Sequence, residues 1–165
     1  MITRATTLEE FRAVERLMAA LRALDEAESA KLGIAPESIA FYYTDRTADA
    51  LERRFSRPEA VMFVLREAGA IVGCGGLVED GEGGADLQHV FVDPDRRGKG
   101  LGLALVAHLI DEARARGVQE LRLETAGFLT AAIALYRRLG FRDCVPFADT
   151  PPELQEMSVF MSMRP

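Results

Sequence analysis

The residues with the clearest chemical potential lie in a basic, glycine-rich turn between an apolar strand and a helix, VFVDPDRRGKGLG at residues 90–102. Its glycines are Gly98, Gly100 and Gly102, and its cations are Arg96, Arg97 and Lys99. The glycines leave out side chains where backbone must come close to a ligand. The following helix directs its first N–H groups and its positive dipole end into the same space. The turn is therefore predicted to bind a phosphate group carrying two or more negative charges.

Two familiar phosphate-binding motifs fit this turn incompletely. A P-loop requires serine or threonine after its lysine, whereas Lys99 is followed by Gly100. A dinucleotide-binding turn requires G-x-G-x-x-G, and Leu103 occupies the position of the last glycine. Glu124 lies about 20 residues further on, where that motif has its ribose-binding acid. The P-loop is excluded, and the nucleotide-binding fold remains an alternative that binding of a nicotinamide cofactor would support.

A third motif fits the turn at every position. It consists of V-x-P followed by R/Q-x-x-G-x-G/A, and its matching residues are Val92, Pro94, Arg97, Gly100 and Gly102. With this motif the chain resembles the GNAT superfamily of N-acetyltransferases, whose turn holds the pyrophosphate of acetyl-coenzyme A. In that family the pantetheine arm enters between the fourth and fifth strands and contacts the backbone of the fourth. The resemblance implies the following cosubstrate-binding residues: Val90, Phe91, Val92, Arg97, Gly98, Lys99, Gly100, Leu101, Gly102 and Leu103.

The elements that position this turn are predicted from hydrophobic periodicity and turn residues. Helices are expected at 8–24 behind a Thr6 or Thr7 cap, 48–55, 100–116 and 131–139, and strands at 1–5, 60–66, 70–78, 86–92, 119–125, 141–145 and 154–163. A helix between the fourth and fifth strands makes those two parallel. This order is that of the GNAT fold. The resemblance implies an α/β (α+β) architecture in one domain over residues 1–165. Its sheet is expected to be mixed and mostly antiparallel, with about seven strands, of which the fourth and fifth are splayed. About four helices are expected to flank the sheet.

Composition limits the classes of function. A net charge of −6 argues against a general nucleic-acid binder, which needs a broad basic face. Cys74 and Cys144 lie far apart without a C-x-x-C motif, so neither a disulfide framework nor a metal site is predicted. The N-terminal residues lack the apolar core of a signal peptide, and no run approaches about 20 apolar residues. We therefore expect a cytoplasmic protein that does not bind membranes.

Glu124 is the candidate general base. Alkylamines have a pKa of about 10, so at neutral pH a base must remove a proton before they attack a thioester. The segment LRLE is similar to a strand end in ribosomal-protein alanine acetyltransferases, where a glutamate base precedes a tyrosine acid by twelve residues, as Glu124 precedes Tyr136. A solvated strand-end carboxylate is the alternative interpretation. Glu79, Asp86 or water could also serve as the base.

Tyr136 is the candidate general acid. The segment AAIALYRRLGF matches the A-x-x-L-Y-x-x-x-G-F helix of the family, whose tyrosine gives a proton to the coenzyme A thiolate. A phenol with a pKa of about 10 stays protonated at neutral pH and can protonate a thiolate whose acid has a pKa of about 8.5. The alternative is a packing tyrosine. The family often has an asparagine just before this helix where this chain has Leu129, so that contact is absent or replaced.

The resulting prediction is an acetyl-coenzyme A-dependent N-acetyltransferase acting on a primary amine, without an acyl-enzyme. A coenzyme A-binding module that senses or regulates without turnover is the alternative. His89, His108 and Cys74 are interpreted as structural, and the aromatic residues 41–43 as packing onto the core, with a substrate wall as the second possibility. The acceptor loops, residues 25–47 and 146–153, do not identify the amine. A homodimer is possible.

Overall fold

The computed structural model describes residues 1–96 and 98–165, and its centre is a mixed sheet of seven strands. The strands are β1 Ile2–Arg4, β2 Ala60–Glu67, β3 Ala70–Glu79, β4 Gly84–Val92, β5 Glu120–Ala126, β6 Arg142–Asp143 and β7 Ser158–Met163. The helices are α1 Leu8–Lys31, α2 Pro36–Ala40, α3 Ala48–Phe55, α4 Leu101–Ala115, α5 Thr130–Arg138 and α6 Pro152–Gln155. Short 3-10 turns cover Phe41–Tyr43 and Pro94–Arg96. The sheet and the longer helices α1, α3, α4 and α5 confirm the predicted fold class.

Local hydrogen bonds and backbone conformations explain where α1 begins and where β2 turns into β3. Thr7 caps α1 through a capping box, since its Oγ1 accepts the Glu10 N–H at 3.3 Å and the Glu10 carboxylate accepts the Thr7 N–H at 3.1 Å. Ala68 and Gly69 connect β2 to β3 with φ values of 48° and 84°. A two-residue hairpin turn of this kind requires positive φ at both positions. The predicted cap at Thr7 and the predicted hairpin are confirmed.

The gap between β4 and β5 is the feature of the sheet that matters most for function. The strand order is β1-β2-β3-β4-β5-β7-β6, and β4 and β5 run parallel while the other neighbours are antiparallel. Their register covers three pairs, Gly84–Glu120, Ala85–Leu121 and Asp86–Arg122. Beyond these pairs β4 continues along β3, and β5 continues along β7 as far as Ala126. The two strands therefore diverge towards their carboxyl ends, as predicted.

A bulge in β4 lies within the diverging part. The register against β3 shifts between Cys74 and Gly76, so that His89 and Val90 face the single residue Gly75. His89 has a φ of 58°, in the left-handed region that is uncommon for residues with a side chain. A Cβ on Gly75 would lie 2.7 Å from Leu109 Cδ1, so a larger residue would displace this side chain of α4. The bulge turns the backbone of β4 at the edge of the gap.

Two hydrophobic cores cover the two faces of the sheet. One face packs against α4 and α5 through a cluster that includes Leu105, Leu109 and Phe141. The other packs against α1 and α3 through a cluster that includes Phe11 and Phe55. Because both faces are covered, the diverging edges of β4 and β5 are enclosed between helices.

The C-terminal strands are shorter than predicted. The sequence pattern predicts strands at 141–145 and 154–163, whereas β6 covers two residues and β7 begins at Ser158. Residues Pro152–Gln155 form the short helix α6, which has proline in its first turn. Proline lacks the N–H that a strand ladder needs but is tolerated in the first turn of a helix. The prolines before Leu154 therefore delay the strand.

Candidate functional site

A cavity of about 250 Å³ lies where β4 and β5 diverge. Its walls come from the two strand ends, from the segment between α1 and residue 46, and from residues around α5 and β7. Glu124, Tyr136 and Val90 all line it. At this volume it is slightly smaller than a typical small-molecule site of about 300–1,000 Å³. The structure thus brings both candidate catalytic side chains to one half-open cavity, which we regard as the candidate active site.

Glu124 is surrounded by hydroxyl groups. Tyr42 donates to its Oε1 at 2.9 Å, Thr150 Oγ1 lies 3.1 Å from Oε1 and 3.0 Å from Oε2, and Ser158 Oγ lies 2.8 Å from Oε1. These contacts concentrate on Oε1, which leaves Oε2 with a single neighbour among the described side chains. The three hydroxyls belong to three separate segments of the chain and together hold the carboxylate in one orientation.

Two consecutive tyrosines extend from the segment after α2 to opposite walls of the cavity. The Tyr42 hydroxyl reaches Glu124 on β5, and the Tyr43 hydroxyl donates to Asp25 Oδ2 on α1 at 2.5 Å. Burial raises the pKa of Tyr42 to about 12 and raises that of Tyr43 further. Both hydroxyls therefore remain protonated donors across the neutral range. Packing alone, the favoured interpretation of residues 41–43, does not describe these two contacts.

Arg46 and His89 form the floor of the cavity beside Tyr43. Arg46 Nη1 contacts His89 Nδ1 and lies 3.4 Å from Met18 Sδ, and its Nη2 donates to the Tyr42 carbonyl. The guanidinium carbon is 5.0 Å from the centre of the Tyr43 ring. Burial lowers the pKa of Arg46, and burial together with nearby Arg46 holds the pKa of His89 well below its ordinary value. His89 is therefore neutral.

Tyr136 approaches the cavity from α5. It is 6% exposed, and its ring meets Phe141 edge-on at 5.7 Å between centroids. Burial raises the pKa of its phenol to about 12. Among the described residues none hydrogen-bonds the Tyr136 hydroxyl. The phenol is a protonated group on the cavity wall, available to a bound molecule.

The basic turn before α4 has the geometry of an anion-binding site. Gly98 and Gly100 have φ values of 84° and 74°, and a Cβ on either would meet no described atom within 4 Å. Gly100 is also the N-cap of α4 and supplies no side-chain cap. The first-turn N–H groups of Leu101, Gly102 and Leu103 therefore have no side-chain cap. Arg97, a predicted phosphate-binding residue, lies outside the described residues.

The cations of this turn already have an acidic neighbour. Lys99 Nζ lies 2.8 Å from Glu67 Oε1, and Arg96 Nη1 lies 3.5 Å from Glu67 Oε2. The hydrogen bond from Lys99 holds the pKa of the partly exposed Glu67 carboxyl below its ordinary value. An anion bound at the turn would compete with Glu67 for these two cations.

The predicted pantetheine segment occupies the β4 side of the gap. Val90 lines the cavity. Phe91 pairs with Cys74 and packs into the α1 and α3 core, while Val92 pairs with Gly73 and packs into the α4 and α5 core. The backbone of this segment is thus held in place from both faces of the sheet.

The alternative bases are less well placed than Glu124. Asp86 lines the cavity, but its Oδ1 accepts from Arg122 Nε at 2.9 Å where β4 and β5 are still paired. Glu79 is paired with Arg116 Nη1 at 2.8 Å and is not part of the cavity wall. Both carboxylates therefore have cationic partners.

Sequence comparison identifies the family. The model of the acetyltransferase (GNAT) family matches residues 17–141, which is most of the chain. The chain belongs to this family. An IAA acetyltransferase of Azospirillum brasilense is 40% identical over 107 residues, or 64% of this chain and 69% of the relative. The uncharacterized N-acetyltransferase YjgM of Escherichia coli K12 is 32% identical over 143 residues, or 85% of this chain and 81% of the relative.

The fold is also similar to that of a solved acetyltransferase. A PaiA N-acetyltransferase of Thermoplasma acidophilum, solved in complex with coenzyme A, superposes with a TM-score of 0.75 over 99% of both chains at 15% identity. Within the described residues, no helix of this GNAT-family protein is both long and apolar enough to cross a membrane.

Several cavity residues of this acetyltransferase-family protein were not among the predicted site residues. Asp25, Tyr42, Arg46 and Ser158 line the cavity, and Thr150 contacts the cavity residue Glu124. Each reaches the cavity through a contact that is remote in sequence, such as the separation of 82 residues between Tyr42 and Glu124. The one available signal was the pair of adjacent tyrosines in a polar segment, which favours neither packing nor ligand binding by itself.

Proposed function

We propose that this GNAT-family protein transfers the acetyl group of acetyl-coenzyme A directly to a primary amine. The observation that supports the proposal most strongly is the cavity at the diverging strands, because a carboxylate and a phenol both line it. The amine nitrogen would attack the thioester carbonyl, and the carbon–sulfur bond would then break. The acetyltransferase names of the sequence relatives support this reaction.

The turn before α4 is proposed to hold the diphosphate of acetyl-coenzyme A. Its open glycine positions, the first-turn N–H groups of α4 and Lys99 fit a dianionic group. Arg97 completes the motif in the sequence. From this turn the pantetheine arm would follow the β4 backbone along Val90, Phe91 and Val92 into the gap, and so deliver the thioester to the cavity.

Glu124 is proposed to act as the base. Its three hydroxyl neighbours fix the carboxylate and leave Oε2 accessible to an N–H of the acceptor. A carboxylate held in this way can first attract the ammonium by charge and then accept the proton that the amine must lose before attack.

Tyr136 is proposed to act at the leaving sulfur. Transfer of a proton from a phenol whose pKa is about 12 to a thiolate whose acid has a pKa of about 8.5 is unfavourable. We therefore expect Tyr136 to stabilise the developing thiolate by a hydrogen bond rather than by complete proton transfer, and the free thiolate to take its proton from solvent. Burial weakens Tyr136 as an acid relative to an exposed tyrosine, but it also keeps the phenol protonated.

The test is release of free coenzyme A thiol with a panel of primary amines. Tyr136→Phe and Glu124→Gln should each lower kcat about 10²-fold, with little change in the affinity for acetyl-coenzyme A. Glu120→Gln is a matched control on the exposed beginning of the same strand and should stay within about twofold of the wild type. Unchanged turnover in Tyr136→Phe would remove this residue from the mechanism. Tight binding of acetyl-coenzyme A without turnover of any amine would favour a sensor module instead.

A further inference from the structure

The guanidinium of Arg46 is a cation in the cavity wall that is held by neutral groups. Its neighbours are the His89 imidazole, the Met18 sulfur, the Tyr42 carbonyl and the Tyr43 ring. In the described part of the chain, Arg46 forms no direct ion pair with a carboxylate, although the Asp25 carboxylate is near enough for the two charges to interact. Removing a charge from water without a counter-ion is costly. A ligand that brings an anion to this position would offset that cost.

His89 places a second donor beside the guanidinium. Because Arg46 donates to Nδ1, the proton of the neutral imidazole is on Nε2. That Nε2 is buried and has no hydrogen-bond partner among the described residues. The pair thus combines a positive guanidinium with an unused N–H, which is the donor set that suits a carboxylate.

Glu124 supplies the opposite charge. Its neighbours are the hydroxyls of Tyr42, Thr150 and Ser158, so no cation balances it among the described residues. Tyr42 connects the two charged groups directly, because its hydroxyl donates to Glu124 while its carbonyl accepts from Arg46. Tyr42 therefore lies between the Glu124 carboxylate and the Arg46 guanidinium, and both charged groups line the same cavity.

We propose that the acceptor is a small free amino acid, bound as a zwitterion with its ammonium at Glu124 and its carboxylate at Arg46. This inference rests on the proposed acetyl transfer and specifies its substrate. The ammonium loses one proton to Glu124, and the nitrogen loses a second as it bonds to the acetyl carbon. The thiolate that leaves takes up one proton. The products are the N-acetylated amino acid, coenzyme A thiol and one proton released to solvent.

The other charged groups at the cavity have partners of their own. Asp25 Oδ2 accepts the Tyr43 hydroxyl, while its buried Oδ1 has no hydrogen-bond partner among the described residues, and Asp86 is paired with Arg122. Much of the remaining wall is apolar, and it includes Leu21, Ile39, Leu123, Phe128 and Phe147. We therefore expect amino acids with apolar side chains to be preferred, and the cavity volume of about 250 Å³ favours a small molecule over a protein segment.

The experiment compares each amino acid with the amine that lacks its carboxylate. Suitable pairs are leucine with 3-methylbutylamine and phenylalanine with 2-phenylethylamine, each assayed by thiol release with the wild-type chain. The amino acid is expected to have at least a tenfold higher kcat/KM than its amine. In Arg46→Gln this ratio should fall to about one, whereas a purely structural role of Arg46 would lower both rates and keep the ratio. Arg46→Lys retains the charge and should keep part of the preference.

The outcomes separate this inference from the proposed function. Acetylation of the amines but not of the amino acids would overturn the zwitterion site and leave acetyl transfer intact. No thiol release with either member of any pair would overturn both proposals. Should Arg46→Gln fail to fold, the wild-type ratios decide the question by themselves, because a ratio of one or less contradicts the site.

Discussion

The hydroxyl cluster around Glu124 leads to a quantitative prediction for Tyr42→Phe. The substitution removes the 2.9 Å hydrogen bond to Glu124 Oε1 and keeps the ring. A hydrogen bond to an ionised group contributes about 1.5–3 kcal/mol. Thr150 and Ser158 remain next to the carboxylate, so we expect a loss near the lower limit. If that orientation is needed in the transition state, kcat/KM should fall about tenfold, since 1.4 kcal/mol corresponds to a factor of ten.

The assay measures initial rates of thiol release at saturating acetyl-coenzyme A with one varied primary amine. Tyr43→Phe is the natural comparison, because it removes the neighbouring hydroxyl from Asp25 instead of Glu124. Both variants should lose about 1–2 kcal/mol of unfolding free energy in chemical denaturation. Tyr42→Phe should have the larger loss of kcat/KM. Equal losses of kcat/KM, or an unchanged rate in Tyr42→Phe, would refute a specific role for the hydroxyl at Glu124.

Two further predictions concern alkaline stability and the basic turn. Burial raises the pKa of Tyr136 to about 12, so between about pH 10 and 12 the unfolded chain holds fewer protons than the folded one, and Tyr136 should lower the unfolding free energy by up to about 1.4 kcal/mol per pH unit. The raised pKa values of Tyr42 and Tyr43 add to the total decline. Tyr136→Phe should make this decline shallower by that amount in denaturant titrations at several pH values, and an unchanged slope would contradict the burial argument. Glu67→Gln removes the carboxylate that pairs with Lys99 and Arg96, so coenzyme A should bind about two- to fivefold more tightly at low salt. Calorimetry at two ionic strengths checks this, because the gain should shrink as salt screens the charges.

Much of the fold could be predicted because it depends on local signals. The capping box of Thr7 and Glu10 and the hairpin at Ala68 and Gly69 involve residues at most three positions apart. The helix between β4 and β5 determines that those strands are parallel. The prediction was wrong at the C-terminal strands, where proline begins the short helix Pro152–Gln155 and delays β7 to Ser158. It was also wrong at 25–31, where α1 continues to Lys31 instead of ending near residue 24.

The candidate site could be predicted only in part. Glu124 and Tyr136 lie on a regular strand and helix within matching motifs, and the structure places both at one cavity, although their roles remain predictions. Arg46 belongs to no recognisable sequence motif, and its hydrogen-bond partner His89 is 43 positions away in the chain. Its position depends on the β4 bulge, which gives His89 its positive φ and turns the imidazole to the guanidinium.

The amino-acid sequence alone determined the order of the elements, the glycine-rich turn and two residue types suited to acid and base chemistry. These depend on periodicity, turn conformations and motifs, all of which act between neighbours in the chain. Only the tertiary structure decided which polar groups surround Glu124, which acid pairs with Lys99 and which cation lies opposite the carboxylate. Side-chain contacts between remote segments depend on how the sheet diverges and how the loops close over it, and no local pattern encodes that geometry.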